Sequence, residues 1–398
     1  MPTRRLALML LTICTFLGCH ATTPPPAQST SPFAIRGFKG LWWDGLDKYR
    51  KAIPWAAAHD MNFVMFCYSS FPASGKDWRS DYTPAELAGF RELSAEARRD
   101  HIELCLSFNP GIWSKPPLTY SDEHDYQLIW RKVQMVHATG IHSFALCLDD
   151  INVHLQPGDS ARFKDLAHCQ VYLVNRLCAD LKTLDQQAHL IFCPSAYTTG
   201  EADKNAAYTH TIGDNLNPSI DLFWTGPACC SASITAADAD HMTAVYHRKP
   251  LIWDNYPVND MFPWRPLLAP VKNRAADLAP HVAGLMANPM KQWYASTLPL
   301  ATLAEYLHDP PAYDPATAKT HVINSYPPAQ RQTITLLLDL YGSHFIGEAG
   351  YPPHPAQLSQ LQSLRAALSS DPALADLWKD IQPTLDSDIV ALIHSPIK

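Results

Sequence analysis

Apolar and polar positions along this chain alternate in two rhythms. Short apolar runs of strand length recur at 35–43, 62–68, 103–108, 143–148, 190–193, 222–225, 251–254 and 282–287, and each reads as a buried β-strand. Between several of them, segments 47–59, 84–100, 125–139, 161–185 and 236–247 carry apolar residues at helical spacing. They are long enough to serve as crossovers between parallel strands. Eight such units within roughly 260 residues predict a closed (β/α)8 barrel of the TIM type. From residue 298 onward only the helical rhythm continues, in 302–308, 315–324, 328–342, 355–369 and 372–387. Proline at or near several of these starts suits helix entry. The expectation is an α/β fold, a barrel domain over 33–297 followed by a helical domain over 298–398.

Sites in such barrels are assembled from the carboxyl ends of the strands and the loops that follow them. Here those ends supply Gly40 with Trp42 and Trp43, Tyr68-Ser69, Asn109-Pro110-Gly111, Asp149-Asp150, Tyr197, Thr225-Gly226-Pro227, the stretch from Trp253 to Asp260, and Asn288. The run from Phe144 to Asn152 is the most pointed, because it drives an apolar strand into two adjacent carboxylates. Taken alone, such a pair reads most simply as two acids opening a solvated loop. Polar and aromatic groups at the other seven strand ends reverse that reading, since together they describe a carbohydrate pocket.

The amino-terminal segment changes the picture of location. Met1-Pro2-Thr3-Arg4-Arg5 leads into an apolar run over 6–17, closed by Gly18-Cys19 and a Thr/Pro/Ser-rich tract to residue 32. This is the pattern of a secretory signal over 1–19, of lipoprotein type, with lipidation at Cys19 and a flexible tether over 20–32. Phe16 stands where leucine is usual in that pattern. The apolar run is too short to count as a membrane span, so any membrane contact would go through the lipid. Export across the bacterial inner membrane, to the periplasm or the outer membrane, is the expectation.

Charge excludes one class of partner. Removing residues 1–18 takes away Arg4 and Arg5 and no acid, so the formal charge of -7 becomes -9. Nucleic acid is not an expected partner, because phosphate backbones are bound by clustered Lys and Arg. Eight cysteines follow Cys19 without CxxC or zinc-knuckle spacing, and mostly free thiols are expected, with Cys229-Cys230 left open. The 18 histidines are scattered without metal-ligand spacing, and neither a phosphate-binding Gly-rich loop nor a GxSxG elbow is present. No metal and no cofactor is implied.

The motifs themselves resemble glycoside hydrolase family 84, the β-N-acetylglucosaminidases that include the O-GlcNAcases. The likeness begins at Arg36-Gly37-Phe38-Lys39-Gly40 and includes Ser107-Phe108-Asn109-Pro110-Gly111 and Tyr120-Ser121-Asp122-Glu123. It continues through Asp149-Asp150-Ile151, Leu166-Ala167-His168, Trp224-Thr225-Gly226-Pro227, the octet from Trp253 to Asp260, and Asn288-Pro289-Met290. The octet is the most specific of these. The resemblance implies a retaining exo-enzyme that releases terminal β-linked N-acetylglucosamine from a glycan or glycoprotein. By it, Asp149 orients the substrate's 2-acetamido group, Asp150 is the general acid and base, and Tyr197 hydrogen-bonds near the acetamido group. Thr225 and Trp253 would wall the N-acetyl methyl, Asn255, Asp260 and Asn288 would bind hydroxyls, and Gly40 would offer a backbone contact. One departure stands out: Ser69 falls where a sugar-binding lysine is usual, and Lys76 reads as a solvated loop residue. Because serine has no positive charge and less reach, weaker sugar contact is expected there. Two alternatives follow, a sugar-binding lipoprotein on the same barrel without catalysis, and an enzyme acting on another 2-acetamido sugar.

Overall fold

Strand alternation builds the molecule from the inside. In the computed structural model, which describes residues 31–40, 45–261, 265–344 and 355–394, eight parallel strands close into a barrel in sequence order. They are β1 (Ile35–Lys39), β2 (Phe63–Phe66), β3 (Glu103–Phe108), β4 (Ser143–Cys147), β5 (His189–Cys193), β6 (Asp221–Trp224), β7 (Leu251–Pro257) and β8 (Gly284–Asn288). Trp42, Trp43 and the segment bearing Cys19 lie outside the described residues.

With a side-chain period of two, each strand splits its apolar residues between two cores. Phe63, Met65, Cys105, Ala145, Cys147, Ile191, Phe223, Leu251 and Met286 fill the barrel interior. Val64, Phe66, Leu106, Phe144, Leu146, Phe192, Trp224 and Leu285 turn outward against the helices. Each buried Val, Leu, Ile, Phe or Met among them contributes about 1.5–3 kcal/mol of transfer free energy, which is why the register is tightly held. Gly37 is demanded by close approach: a Cβ there would lie 1.7 Å from the backbone oxygen of Phe63 on the neighbouring strand.

Helices α1 (Asp47–Ala58), α2 (Pro84–Arg99), α3 (Glu123–His137), α4 (Pro157–Arg162), α5 (Leu166–Leu184), α6 (Thr199–Lys204), α7 (Ala206–Asn215) and α8 (Ala236–Tyr246) connect the strands. The segment expected as one helix over 161–185 is two, because the chain leaves the helix at Phe163 and re-enters at Asp165, whose side chain accepts from the His168 N–H. Helices α6 and α7 were not expected. Their sequences are rich in Thr, Ala and Gly and carry little apolar stripe, but α6 starts with a reciprocal capping box between Thr198 and Glu201.

Helix α9 (Trp293–His308) begins well before the expected start at 302, with Pro299 inside it. It places Trp293, Leu300 and Leu303 in the barrel's outer core, and Ala295 and Leu298 in a second core shared with α10 (Pro315–Ser325), α11 (Pro328–Leu340), α12 (Leu358–Ser370) and α13 (Ala375–His394). The expected domain boundary at 297/298 thus falls inside one helix that belongs to both layers. Loop residues Leu267 and Leu268, after β7, join the second core as well.

Candidate active site

Because inward-facing positions recur every second residue, the last inward residue of each strand and the next one beyond it open on the carboxyl-terminal mouth. Lys39, Asp149, Thr225, Asn255 and Asn288 all follow this parity. Together with Tyr68, Tyr197, Trp253 and Asp260 they line one cavity of about 120 Å3. A larger hollow of about 560 Å3 lies away from the mouth, against α9 and α10, and holds none of these groups.

Asp149 sits at the cavity floor, 7% exposed, and accepts from the Tyr68 hydroxyl (3.1 Å) and from Asn109 Nδ2 (3.3 Å). Asn109 is itself fixed, its Oδ1 accepting from the N–H groups of Gly111 and Ile112 at 3.0 Å each. Burial, and then the charge of Asp150, push the Asp149 carboxyl up to about 6, while Lys39 and the Tyr68 hydrogen bond pull the other way. The loss of water around the anion thus outweighs the groups that favour it. Asp150 is more exposed and has a left-handed backbone, φ +54°, a conformation that Asp and Asn tolerate better than most residues. That twist breaks strand parity, so two successive carboxylates both face the cavity. Tyr197 donates its hydroxyl to Asp150 Oδ1 at 3.1 Å, and burial followed by the Asp150 charge raises the phenol above its ordinary range.

The loop that carries Tyr197 is braced from below. Ser195 donates to the Leu148 carbonyl (2.7 Å), and Tyr208 and Gln170 hold Ser195 in turn. The opposite wall is a relay in which Asn288 Nδ2 donates to Asn255 Oδ1 (2.8 Å) and Asn255 Nδ2 donates to the Cys229 carbonyl (2.8 Å). Trp253 stands edge-on to Phe223. Two buried polar atoms at this wall, Trp253 Nε1 and Asn288 Oδ1, have no hydrogen-bond partner among the described residues. Such atoms carry an energetic cost that a polar ligand would relieve. Asp260 is exposed at the cavity edge.

Two expected positions lie off the cavity. Gly40 packs against α1, where a Cβ would meet the Tyr49 ring at about 2 Å, so its missing side chain serves packing. Ser69 is buried and its hydroxyl contacts Cys67 Sγ at 2.9 Å. The reason is local: β2 ends at Phe66, the chain turns so that Ser70 N–H donates to the Cys67 carbonyl, and Tyr68 takes the inward place. Lys76 is exposed and does not line the cavity either. The residues not singled out from sequence are Lys39, the hydroxyl of Tyr68, and Cys229. Alternation in Ile35, Gly37, Lys39 would have found the first; the other two depend on turns.

Cys229 lies on the cavity wall beside Cys230, and all eight cysteines of the described residues are free thiols. Contact with Cys230 lowers the Cys229 thiol to about 7.

The barrel is matched in sequence as well. A profile of the beta-N-acetylglucosaminidase family matches residues 34–339, which takes in all eight strands and reaches α11. The chain belongs to the beta-N-acetylglucosaminidase family. Within that family, glycoside hydrolase family 84, it is similar to the Protein O-GlcNAcase of Mus musculus and that of Rattus norvegicus, at 28% identity over 278 residues in each case. The matched segment covers 68% of this chain but 29% of each relative, so the chain spans less than a third of their length. Among solved structures, a mutant Thermobaculum terrenum O-GlcNAc hydrolase superposes with a TM-score of 0.80 at 24% identity, covering 91% of this chain and 83% of that one. At that identity the likeness speaks for the fold. The matched segment, 34–339, contains the barrel and the cavity at its mouth.

Proposed function

We propose that this protein is a retaining exo-β-N-acetylglucosaminidase that removes terminal β-linked N-acetylglucosamine from glycoconjugates by substrate-assisted catalysis. The observation that carries the reading is the placement of Asp149 and Asp150 on one cavity, the first buried and hydrogen-bonded, the second nearer solvent and held by Tyr197. In this reaction the acetamido oxygen of the substrate attacks the anomeric carbon, so no protein nucleophile is required. Asp149, as the anion, accepts from the acetamido N–H and steers that attack. Asp150 gives its proton to the departing glycosidic oxygen, then takes one from the water that opens the oxazoline, and configuration at the anomeric carbon is retained.

Removal of a terminal sugar suits a cavity whose floor is packed barrel interior, with Cys193 and Trp253 beneath the entrance. The unpartnered Trp253 Nε1 and Asn288 Oδ1 suit ligand polar groups, and Asp260 and Asn255 suit ring hydroxyls. Export and lipidation at Cys19 belong to the same reading and are tested separately, by metabolic labelling with palmitate in wild type and Cys19→Ala.

The test is turnover of aryl β-N-acetylglucosaminides by wild type and Asp150→Asn. Asn keeps the left-handed backbone, so the fold should persist. Turnover should fall by about 100-fold or more with poor leaving groups and much less with activated ones, since proton donation contributes on the order of 10²–10⁴. A thiazoline mimic of the cyclised intermediate should inhibit the wild type. Binding of N-acetylglucosamine without hydrolysis of any of these substrates would overturn the proposal in favour of a sugar-binding protein.

A further inference from the structure

Strand β1 ends on a lysine turned into the barrel. Lys39 is 2% exposed, with Nζ 4.3 Å from the centroid of the Trp253 ring and 5.2 Å from that of Tyr68. It is the sole cation among the described residues lining the cavity that holds Asp149 and Asp150. Aromatic faces attract an ammonium through their negative quadrupole, and these two also keep water from it. A charge so desolvated acts more strongly on its neighbours than one at the surface.

We infer that Lys39 is the positioning residue of the carboxylate pair: its ammonium offsets part of the burial penalty on Asp149, so that this carboxyl is available as the anion at neutral pH and the donor's role falls to Asp150. This rests on the proposed function, which requires that division of roles. Two adjacent carboxylates in a shielded site resist ionising together, and burial by itself would place the proton on the deeper one, Asp149. That is the wrong carboxyl for the proposed reaction, because a protonated Asp149 is no longer the anion that receives the acetamido N–H.

Among the described groups lining the cavity, Lys39 alone offsets this with positive charge; Cys229 and Asp260, on the same cavity, are a thiol and a carboxylate and supply none. Asp150 repels it, and the thiols of Cys147 and Cys193 are held neutral by burial. The Tyr68 and Tyr197 phenols are likewise raised by burial and neutral at pH 7. Tyr68 and Asn109 donate hydrogen bonds to the Asp149 carboxylate but carry no charge. Lys39 reaches the cavity from β1, across the barrel from the β4 end, so its effect travels through space and does not depend on the local turn at Asp149-Asp150.

The experiment compares wild type, Lys39→Met and Lys39→Arg, each first checked for folding by circular dichroism, in kcat/KM against pH on an activated aryl β-N-acetylglucosaminide. Losing the ammonium makes Asp149 harder to ionise, so the acid limb of the Lys39→Met profile should move up by about one pH unit. Lys39→Arg should return the limb toward the wild-type position. A profile lowered uniformly, with the limb unmoved, would mean that Lys39 only fills space and would overturn the inference. A second readout needs no turnover: 13C-Asp NMR titration in an Asp150→Asn background should show the Asp149 carboxyl titrating higher once Lys39 is Met, and an unchanged titration also overturns it. Failure of the proposed function looks different, as absence of hydrolysis in the wild type.

Discussion

A carboxylate buried beside a second carboxylate is held there at a thermodynamic cost. With its carboxyl raised to about 6, Asp149 binds its proton more tightly in the folded protein than in the unfolded chain, where about 3.9 is usual. Wild-type stability should therefore fall as pH rises from about 4 to 6, and stay lowered above that. Asp149→Asn removes the charge, keeps acceptor and donor capacity toward Tyr68, and should stabilise the fold at pH 7 by about 2–3 kcal/mol while abolishing the proposed reaction. Urea denaturation at pH 4 and pH 7 checks this, and a variant no more stable than the parent at pH 7 would contradict the assignment of burial as the cause. At this scale the sequence was legible where strand parity holds. Asp149, Thr225, Asn255 and Asn288 follow it, and all reach the cavity. Ser69 was misplaced because β2 stops at Phe66 and a turn exchanges it with Tyr68, an event decided by which side chain fits the barrel interior.

Elements are held to the barrel by groups that the octet motif contains but does not explain. Asp254 lies on the outward side of β7, fully buried, and forms a bidentate pair with Arg274, both contacts at 2.7 Å. Arg274 sits in the long connection between β7 and β8, which also carries Asp260 and donates Leu267 and Leu268 to the second core. The pair thus fastens a wall of the cavity to a strand. Arg274→Met leaves the Asp254 carboxylate buried and unpaired and should cost about 3–5 kcal/mol in chemical denaturation, whereas the double change with Asp254→Leu should recover much of it. Additive losses would show that the two do not act as a pair. Helices with a clear apolar stripe, such as α2 and α3, were readable within a few residues of their ends. Helices α6 and α7 were not, since the capping box of α6 and the packing of α7 between α5 and α8 stabilise them more than their own periodicity does. The true start of α9 was hidden by Pro299, which reads as a breaker but is accommodated within the buried helix.

Across the whole molecule, the two rims of the barrel divide labour. At the amino-terminal rim His189, opening β5, bridges Glu103 of β3 (2.9 Å) and Asp221 of β6 (2.8 Å). The far ends of these strands lead to Asn109, Tyr197 and Thr225. Burial opposes the charge on His189, but Asp221 and Glu103 outweigh it and raise the imidazole to about 9. A folded value above the unfolded one of about 6.5 means a contribution fully present below pH 6.5 and lost as pH rises through 9. His189→Gln should therefore cost about 2 kcal/mol at pH 6 and little at pH 10, read by denaturant midpoints, with activity at pH 6 altered far less than stability. An equal loss at both pH values would rule out the charge as the source. The order of apolar runs by itself determined the eight-stranded barrel, the helical continuation and the acid pair at the mouth, because burial imposes a period that any single strand reveals. Which aspartate is buried, that Tyr68 rather than Ser69 faces the cavity, and that α9 serves two cores were decided only by tertiary structure. Each depends on which distant side chains take water away from a group, and that is a property of the closed barrel and not of any segment.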